Sequence, residues 1–412
     1  MSSPQASPTA TLDPHDEGFR ADPFPTFARL RDTDPVHWSD AVGGWVLTRY
    51  ADVVATQRDP RLSSDRITPS FAELPTARRL ELQQLQNSLG SWAVFSDPPE
   101  HTRLRKLFNK AFTARAIAGL EAGIERIVDD LLAPLLRRGT GDLIAEFAYP
   151  LPALVICDLI GLPHDDIDDV KVWSGAIESF LGLANKPPHV YEAARRNVDA
   201  MTEHFRAAID DHRARPRGDI LSGLIAASDG GDQLSEDEII ATCMMLVFAA
   251  HTTTTHLIGN GMLALLRHPA AYTALKSDPS QEAIAAAVEE MLRYDGPVQV
   301  ARRVVREPIE LRGQRLRRGE LVYPMLNAAN RDPEQFTAAE EFDVTREGNR
   351  HIAFGFGAHF CPGAPLVRLE AHHAFTAIMR SRSRIRLAGP IEWIDSFGFR
   401  GLTALPLELR AE

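Results

Sequence analysis

The chain has 412 residues, 44% hydrophobic and 25% charged, with a formal net charge of −11. That is enough length to bury a large core and a cofactor, in the composition of an ordinary globular protein, and the acidic balance argues against a general binder of nucleic acid or anionic membranes. Three widely spaced cysteines, Cys157, Cys243 and Cys361, fit neither a disulfide framework nor a zinc cluster; no apolar run reaches a membrane span and no signal-peptide order opens the chain, so a soluble, cytoplasmic protein is expected.

Residues 1–16, rich in Ser, Pro, Ala and Asp, are expected to be disordered, and residues 17–412 to form a single domain, since no repeat or linker interrupts them. Trp45 to Tyr50 alternates as a strand and Ala51 to Gln57 reads as a short helix. The stretch 68–91 is polar and irregular, as in a surface loop containing a helix. After Pro98-Pro99 a helix begins, and on it His101 and Arg105, four apart, share a face that can clamp a carboxylate. Arg103, Lys106, Lys110 and Arg115 add a basic cluster suited to steering an acidic partner. Residues 116–215 read as helices, interrupted at Pro150, Pro152, Pro163 and Pro187-Pro188.

Ser235 and Glu238 form a capping box that opens a helix running to His268, where Pro269 stops it. At about 33 residues it spans ~50 Å. Its middle, Met244 to Ala250, is apolar all round and must be buried. The run Thr252 to Thr255 then offers hydroxyls that bond back to carbonyls a turn earlier and loosen the helix. His251 and His256 lie about 140° apart around such a helix and make no zinc pair. Glu290 and Arg293 share a face near the end of an alanine-rich helix. Beyond Pro297, Val298 to Arg303 alternates as a strand, with Val298 and Val300 on one face and Arg303 on the other.

The loop His351 to Gly363 is glycine-rich and aromatic, closes on Cys361, and opens a helix from Ala364 to Arg380. With Cys361 at the N-cap and Pro362 at the first helical position, the sulfur meets the N–H groups of Gly363 and Ala364 and the positive helix end. Both favour the thiolate that a soft or borderline metal needs. Gly355, Gly357 and Gly363 let the backbone approach something large and flat. The tail, Phe397 to Leu409, alternates like a hairpin.

The spacing Phe-Gly-x-Gly-x-His-x-Cys-x-Gly, Phe354 to Gly363, resembles the haem-ligand signature of the cytochrome P450 superfamily. The likeness extends over nearly the whole chain after about residue 20, through Glu290-x-x-Arg293 and Asn330-Arg331-Asp332-Pro333. It implies a mainly α fold with small β-sheets (α+β), a triangular prism with a long central helix over the haem. It implies haem b (iron protoporphyrin IX) bound through Cys361, with Phe354 and Gly363 in the cofactor loop and His101, Arg105, Arg303 and His359 on the propionates. Ala249 and Ala250 match the small pair over the distal face and Thr253 the oxygen-site threonine. Thr252 then stands where the family usually has Asp or Glu, so protons must arrive by another route. Glu290 and Arg293 become a buried structural pair whose usual third arginine is replaced by Glu341. Residues 68–91 become a mobile, substrate-facing stretch, and Gly182 to Pro188 the lid over the substrate entrance. Phe248, Ala249, Val298, Val300 and Phe399 become the substrate pocket.

The implied activity is insertion of one oxygen atom of O2 into an apolar small molecule, by hydroxylation or epoxidation, of the kind used in secondary metabolism. The implied partners are a separate ferredoxin and ferredoxin reductase, with no nucleic acid or membrane, and the protein is expected to act as a monomer. Thr252 motivates an enzymatic rival, oxidative coupling or peroxide-driven oxidation. A haem-based sensor is the non-enzymatic rival, and no output module accompanies it. Pro362 has no N–H to withdraw charge from the sulfur, which implies a more basic thiolate and a lower iron potential.

Overall fold

A computed structural model describes residues 12–183, 186–228 and 234–411. The expected disordered segment falls, for its first eleven residues, outside the described residues. From Leu12 onward the chain is folded: Leu12 is 1% exposed, packed in a cluster with Phe27, Leu30 and Val42. The polar composition of that stretch hid this single apolar anchor.

The chain is mainly helical with small sheets, as expected. The mixed sheet has the order β1–β2–β5–β4–β3, where β1 is Val36–Ser39, β2 Gly44–Leu47, β3 Leu62–Ser63, β4 Arg303–Val305 and β5 Leu321–Pro324. Only the β2–β5 pair is parallel, so residues from the two ends of the chain meet here. Five helices carry the site: α1 Glu100–Ala111, α2 Ile167–Gly182, α3 Glu236–Arg267, α4 Gln281–Tyr294 and α5 Ala364–Arg380.

The long helix α3 forms as the capping box dictates, Ser235 Oγ accepting from Glu238 N and Glu238 Oε2 from Ser235 N, and it ends at His268 before Pro269. It is long and apolar enough to cross a membrane, but 78% of its most apolar window is buried by α2, α4, α5 and the helix Pro150–Ile160. At Gly261 a Cβ would come within 2.6 Å of the Met291 sulfur and 2.9 Å of the Phe375 ring, so the missing side chain lets α3, α4 and α5 touch. The threonine hydroxyls do bond back, Thr253 to the Ala249 carbonyl at 2.8 Å and Thr255 to His251 at 3.1 Å. The helix nevertheless stays α-helical through them, because the surrounding core holds it on all sides.

Several local expectations change. The stretch 68–91 folds into three short helices, Ile67–Ala72, Thr76–Glu81 and Gln83–Gly90, which bury Phe71, Leu85 and Leu89. Pro152 sits inside Pro150–Ile160 and breaks nothing, being within the first turn where proline is tolerated. The tail is no hairpin: Leu402–Ala404 pairs with Glu392–Trp393, while Pro406–Ala411 lies between Thr140–Asp142 and Ser383–Leu387. Alternation gives a strand's faces and leaves its partner open.

Glu290 and Arg293 are fully buried and bidentate, at 2.7 Å for both bonds. Their third member is Arg346, not a replacement at Glu341: Arg346 Nε lies 3.1 Å from Glu290 Oε2, and Glu341 offers only its carbonyl, to Arg293 at 2.8 Å. The loop is longer than the spacing implied, so the arginine arrives five residues later. Removing Glu290 leaves two buried guanidinium groups uncompensated. Glu290→Ala should therefore lose about 3–5 kcal/mol of stability in urea unfolding, whereas Glu341→Ala, changing an exposed side chain, should stay within about 0.5 kcal/mol.

Candidate functional site

Two adjacent carboxylates of α4 hold the loop that presents Cys361. Besides its arginines, Glu290 accepts from Asp343 N at 2.8 Å and from Asn349 Nδ2 at 3.2 Å. Glu289 accepts from His351 at 3.0 Å, where the loop begins, and from Arg368 at 2.6 and 2.9 Å, in the helix beyond it. Within the loop, Gly355 and Gly357 take φ of +72° and +75°, and a Cβ at Gly357 would meet the Gln57 carbonyl oxygen at 3.2 Å. Phe356 N donates to Gln57 Oε1 at 2.8 Å and Cys361 N to the Phe354 carbonyl at 3.0 Å.

The N-cap of α5 is Gly363, so Cys361 stands two residues ahead of it and Pro362 is outside the helix; the proline of the first turn is Pro365. The sulfur still accepts from the N–H groups of Gly363 and Ala364, as expected. Burial raises the thiol pKa, and these two bonds with Arg105 and Arg368 act against it. The protein's dipoles thus prepare a thiolate that a bound cation completes.

Cys361 lies in the wall of a cavity of about 300 Å³. His101, Arg105, Arg303 and His359 gather along one edge, beside Phe354 and Gly363. The imidazoles of His101 and His359 are 3.9 Å apart, Ser64 Oγ is 3.0 Å from His359 Nε2, and Arg105 donates to the Phe360 carbonyl at 2.8 Å. Burial, then repulsion from His101, Arg303 and Arg105, pushes His359 down to about 3, and burial brings Arg303 to about 10. His101 is lowered by the same two causes, burial first. Four basic groups held together at such cost suit a dianionic partner. A flat cofactor with two carboxylates and a metal facing the sulfur, haem b, meets every one of these requirements.

Ala249, Phe248, Val298, Val300, Phe399 and Thr253 line the same cavity, as expected. Arg303 joins them on the same side as the two valines, contrary to the alternation: residues 298–302 make only single bridges, Val298 to Phe399 and Val300 to Met325, and the continuous strand starts at Arg303. Thr252 does not line the cavity; it is buried on another side of α3. His251 points away too, its Nε2 3.2 Å from the Tyr149 carbonyl, and burial lowers its pKa to about 3, so it is neutral. Sequence reasoning passed over Glu370, the one carboxyl among the described cavity-lining residues, which burial pushes up to about 8 against the Thr254 hydroxyl. Its signal was a charge four residues after Leu366, on the apolar face of α5. The lid stretch has Ala184 and Asn185 outside the described residues. Among the described residues no cluster of three or more His, Cys, Asp or Glu forms a further metal site.

With this geometry in view, the chain was compared with known proteins. The family model for cytochrome P450 matches residues 184–383. Cytochrome P450 107B1 of Saccharopolyspora erythraea is 40% identical over 95% of this chain and 96% of its own. The polyketide biosynthesis cytochrome P450 PksS of Bacillus subtilis is 35% identical over 96% and 98%. Among solved structures, P450BioI in complex with hexadec-9Z-enoic acid ligated acyl carrier protein superposes with a TM-score of 0.88 at 33% identity, covering 95% of this chain and all of that one.

Glu289 supplies a pH test of the loop. Burial would raise its carboxyl, but bonds from Arg368 and His351 outweigh this and hold it at about 2. The stability it contributes is therefore complete above the unfolded carboxylate value of about 4.3 and is lost as pH falls towards 2. Urea midpoints should drop between pH 5 and 3 in the wild type, and drop less in Glu289→Gln.

Proposed function

Because the chain belongs to the cytochrome P450 family and is a haem-thiolate monooxygenase, we propose the following roles for its residues. Bound haem b supplies the reductive activation of O2 that inserts one oxygen atom into a C–H or C=C bond. Cys361 ligates the metal, its charge shared with the N–H groups of Gly363 and Ala364. His101, Arg105, Arg303 and His359 hold the propionates, and Phe354 with the glycines of its loop keeps the backbone close to the ring. The observation that carries this reading is the sulfur, facing the backbone N–H groups of Gly363 and Ala364, in the same cavity wall as four basic groups that form no ion pair with a carboxylate among the described residues.

Thr253 passes protons to the oxygen site. Its hydroxyl faces the cavity, and its bond to the Ala249 carbonyl fixes its oxygen towards incoming donors. Glu370, protonated at neutral pH, is the one carboxyl among the described lining residues that could store a proton. Thr252 has no part in this, which removes the reason for favouring coupling or peroxide-driven chemistry.

The substrate is an apolar small molecule, held by Phe248, Val298, Val300 and Phe399. The PksS relative is named for polyketide biosynthesis, and P450BioI is seen with an acyl carrier protein bearing a hexadecenoic acid, both consistent with apolar guests. Electrons come from a ferredoxin-type partner. The exposed Lys106, Lys110 and Arg115, on and just beyond the helix whose Arg105 donates to the carbonyl of the 43%-exposed Phe360, suit an acidic docking surface.

Reduced wild-type protein loaded with haem should show the red-shifted Soret band of a thiolate-bound carbonyl under carbon monoxide. Cys361→Ala should lose it; persistence of that band would end the proposal. For proton delivery, Thr253→Ala should cut product formed per NAD(P)H by about 100-fold, the low end of what a positioned proton donor contributes. Thr252→Ala should change it less than about twofold, as peroxide and product assays on both variants will read.

A further inference from the structure

Beyond the four propionate-side groups, three more cations interact near the end of α2, whose Leu181 lines the cavity. Arg66, just ahead of Ile67–Ala72, lines the cavity and places its guanidinium 4.4 Å from the Phe95 ring centroid. Arg302 follows the lining residue Ala301 and leaves the backbone away from Arg303. Its Nη2 lies 3.4 Å from the Gly182 carbonyl, at the end of α2, and its guanidinium 5.5 Å from the Tyr323 ring. Lys186, beyond the same helix end, has its Nζ 5.4 Å from the Phe180 ring, which packs on Phe71. All three are partly buried.

They are close enough to repel one another. Burial, then Arg302 and Arg66, brings Lys186 down to about 7, and burial, then Arg302 and Arg303, lowers Arg66. Among the described residues no carboxylate pairs with any of the three. That contrasts with the buried guanidinium groups away from the cavity. Arg293 has Glu290, Arg400 has Asp295 at 2.6 Å, and Arg331 has Glu340 at 3.1 Å. Cations desolvated without an anion are costly. The propionate-side cluster has its anions in the cofactor. Arg302 and Lys186 lie by the end of α2, just outside the cavity lining, and have none among the described residues.

Resting on the monooxygenase reading above, we propose that the substrate is a carboxylate-terminated apolar molecule, its carboxylate received by Arg302 and Lys186 with Arg66 beside them, and its apolar body lying along Phe248, Val298 and Phe399. Glu370, the one carboxyl among the described lining residues, belongs to α5 and not to the end of α2, so no described carboxylate of the lining competes for the three cations. Binding this way holds the carboxylate near the end of α2 and presents carbons along the chain, not those next to the carboxyl, to the oxygen site.

The test uses haem-loaded wild-type protein titrated with alkanoates from octanoate to hexadecanoate, each paired with the alcohol of equal length, reading the haem spin-state shift and, separately, the heat of binding. At least one acid should bind about tenfold or more tightly than its alcohol, a preference that weakens with salt. In Arg302→Gln and in Lys186→Gln the ratio of acid to alcohol affinity should fall towards one. If no acid is preferred over its alcohol, or if the preference survives both substitutions, the proposal is overturned. A missing thiolate-carbonyl band would instead overturn the haem-thiolate reading, so the two failures are distinguishable.

Discussion

The site depends on two neighbouring carboxylates at the end of one helix. Glu290 and Arg293 are inaccessible to water and satisfy each other, yet most of their remaining capacity goes to backbone: Arg293 donates to the carbonyls of Asn330, Ala339 and Glu341, and Glu290 accepts from Asp343 N. A segment with little regular secondary structure of its own, residues 330–349, is thus wound onto one ion pair. Glu289, one residue earlier, points the other way and joins His351 to Arg368, one on each side of the cysteine. The position of the sulfur is set by helix α4 through these bonds as much as by the loop that carries it. A buried pair of this kind is weak support for net stability, and its value here is geometric.

Charge placement explains the rest of the cavity. Most buried cations of this protein meet a carboxylate of the chain, and those facing the cavity do not. Where the chain leaves a desolvated cation unmatched, the missing anion is brought by something bound. The proposed haem propionates would be the anions for the cluster of His101, Arg105, Arg303 and His359, which sits beside the cysteine loop. The second unmatched group, Arg302 and Lys186 by the end of α2, would follow the same logic with the proposed substrate carboxylate. The strand itself separates the two roles, because Arg302 and Arg303 leave it in different directions.

What was legible in the sequence was local. The capping box, the proline stop after His268, the glycine-spaced cysteine loop and the four-residue spacing of His101 and Arg105 each involve residues close in the chain, whose geometry the backbone alone nearly fixes. The mainly helical fold and the cavity residues of α3 followed from those patterns together with the family likeness. What escaped reading was settled between distant segments. Arg346 reaches Glu290 across 56 positions, and no local pattern told it from the other arginines. The tail strands found partners as distant as Thr140–Asp142, and Glu370 looked like one more charge on an amphipathic helix until α3 closed over it.

The threonine run shows how a one-residue difference decides chemistry on a buried helix. Successive positions on an α-helix point about 100° apart, so of a run of threonines only part can face a given cavity. Thr253 does, with Thr254 at its edge, while Thr252 and His251 turn into the protein, His251 against Tyr149. A residue at position 252 therefore acts on the oxygen site only through something that bridges the helix, whatever its side chain. Glu370 reaches the lining from a different helix and needs no such bridge. On the proposed reading, proton supply depends on which helix faces contribute to the wall, and Thr252, buried away from it, would need such a bridge to take part.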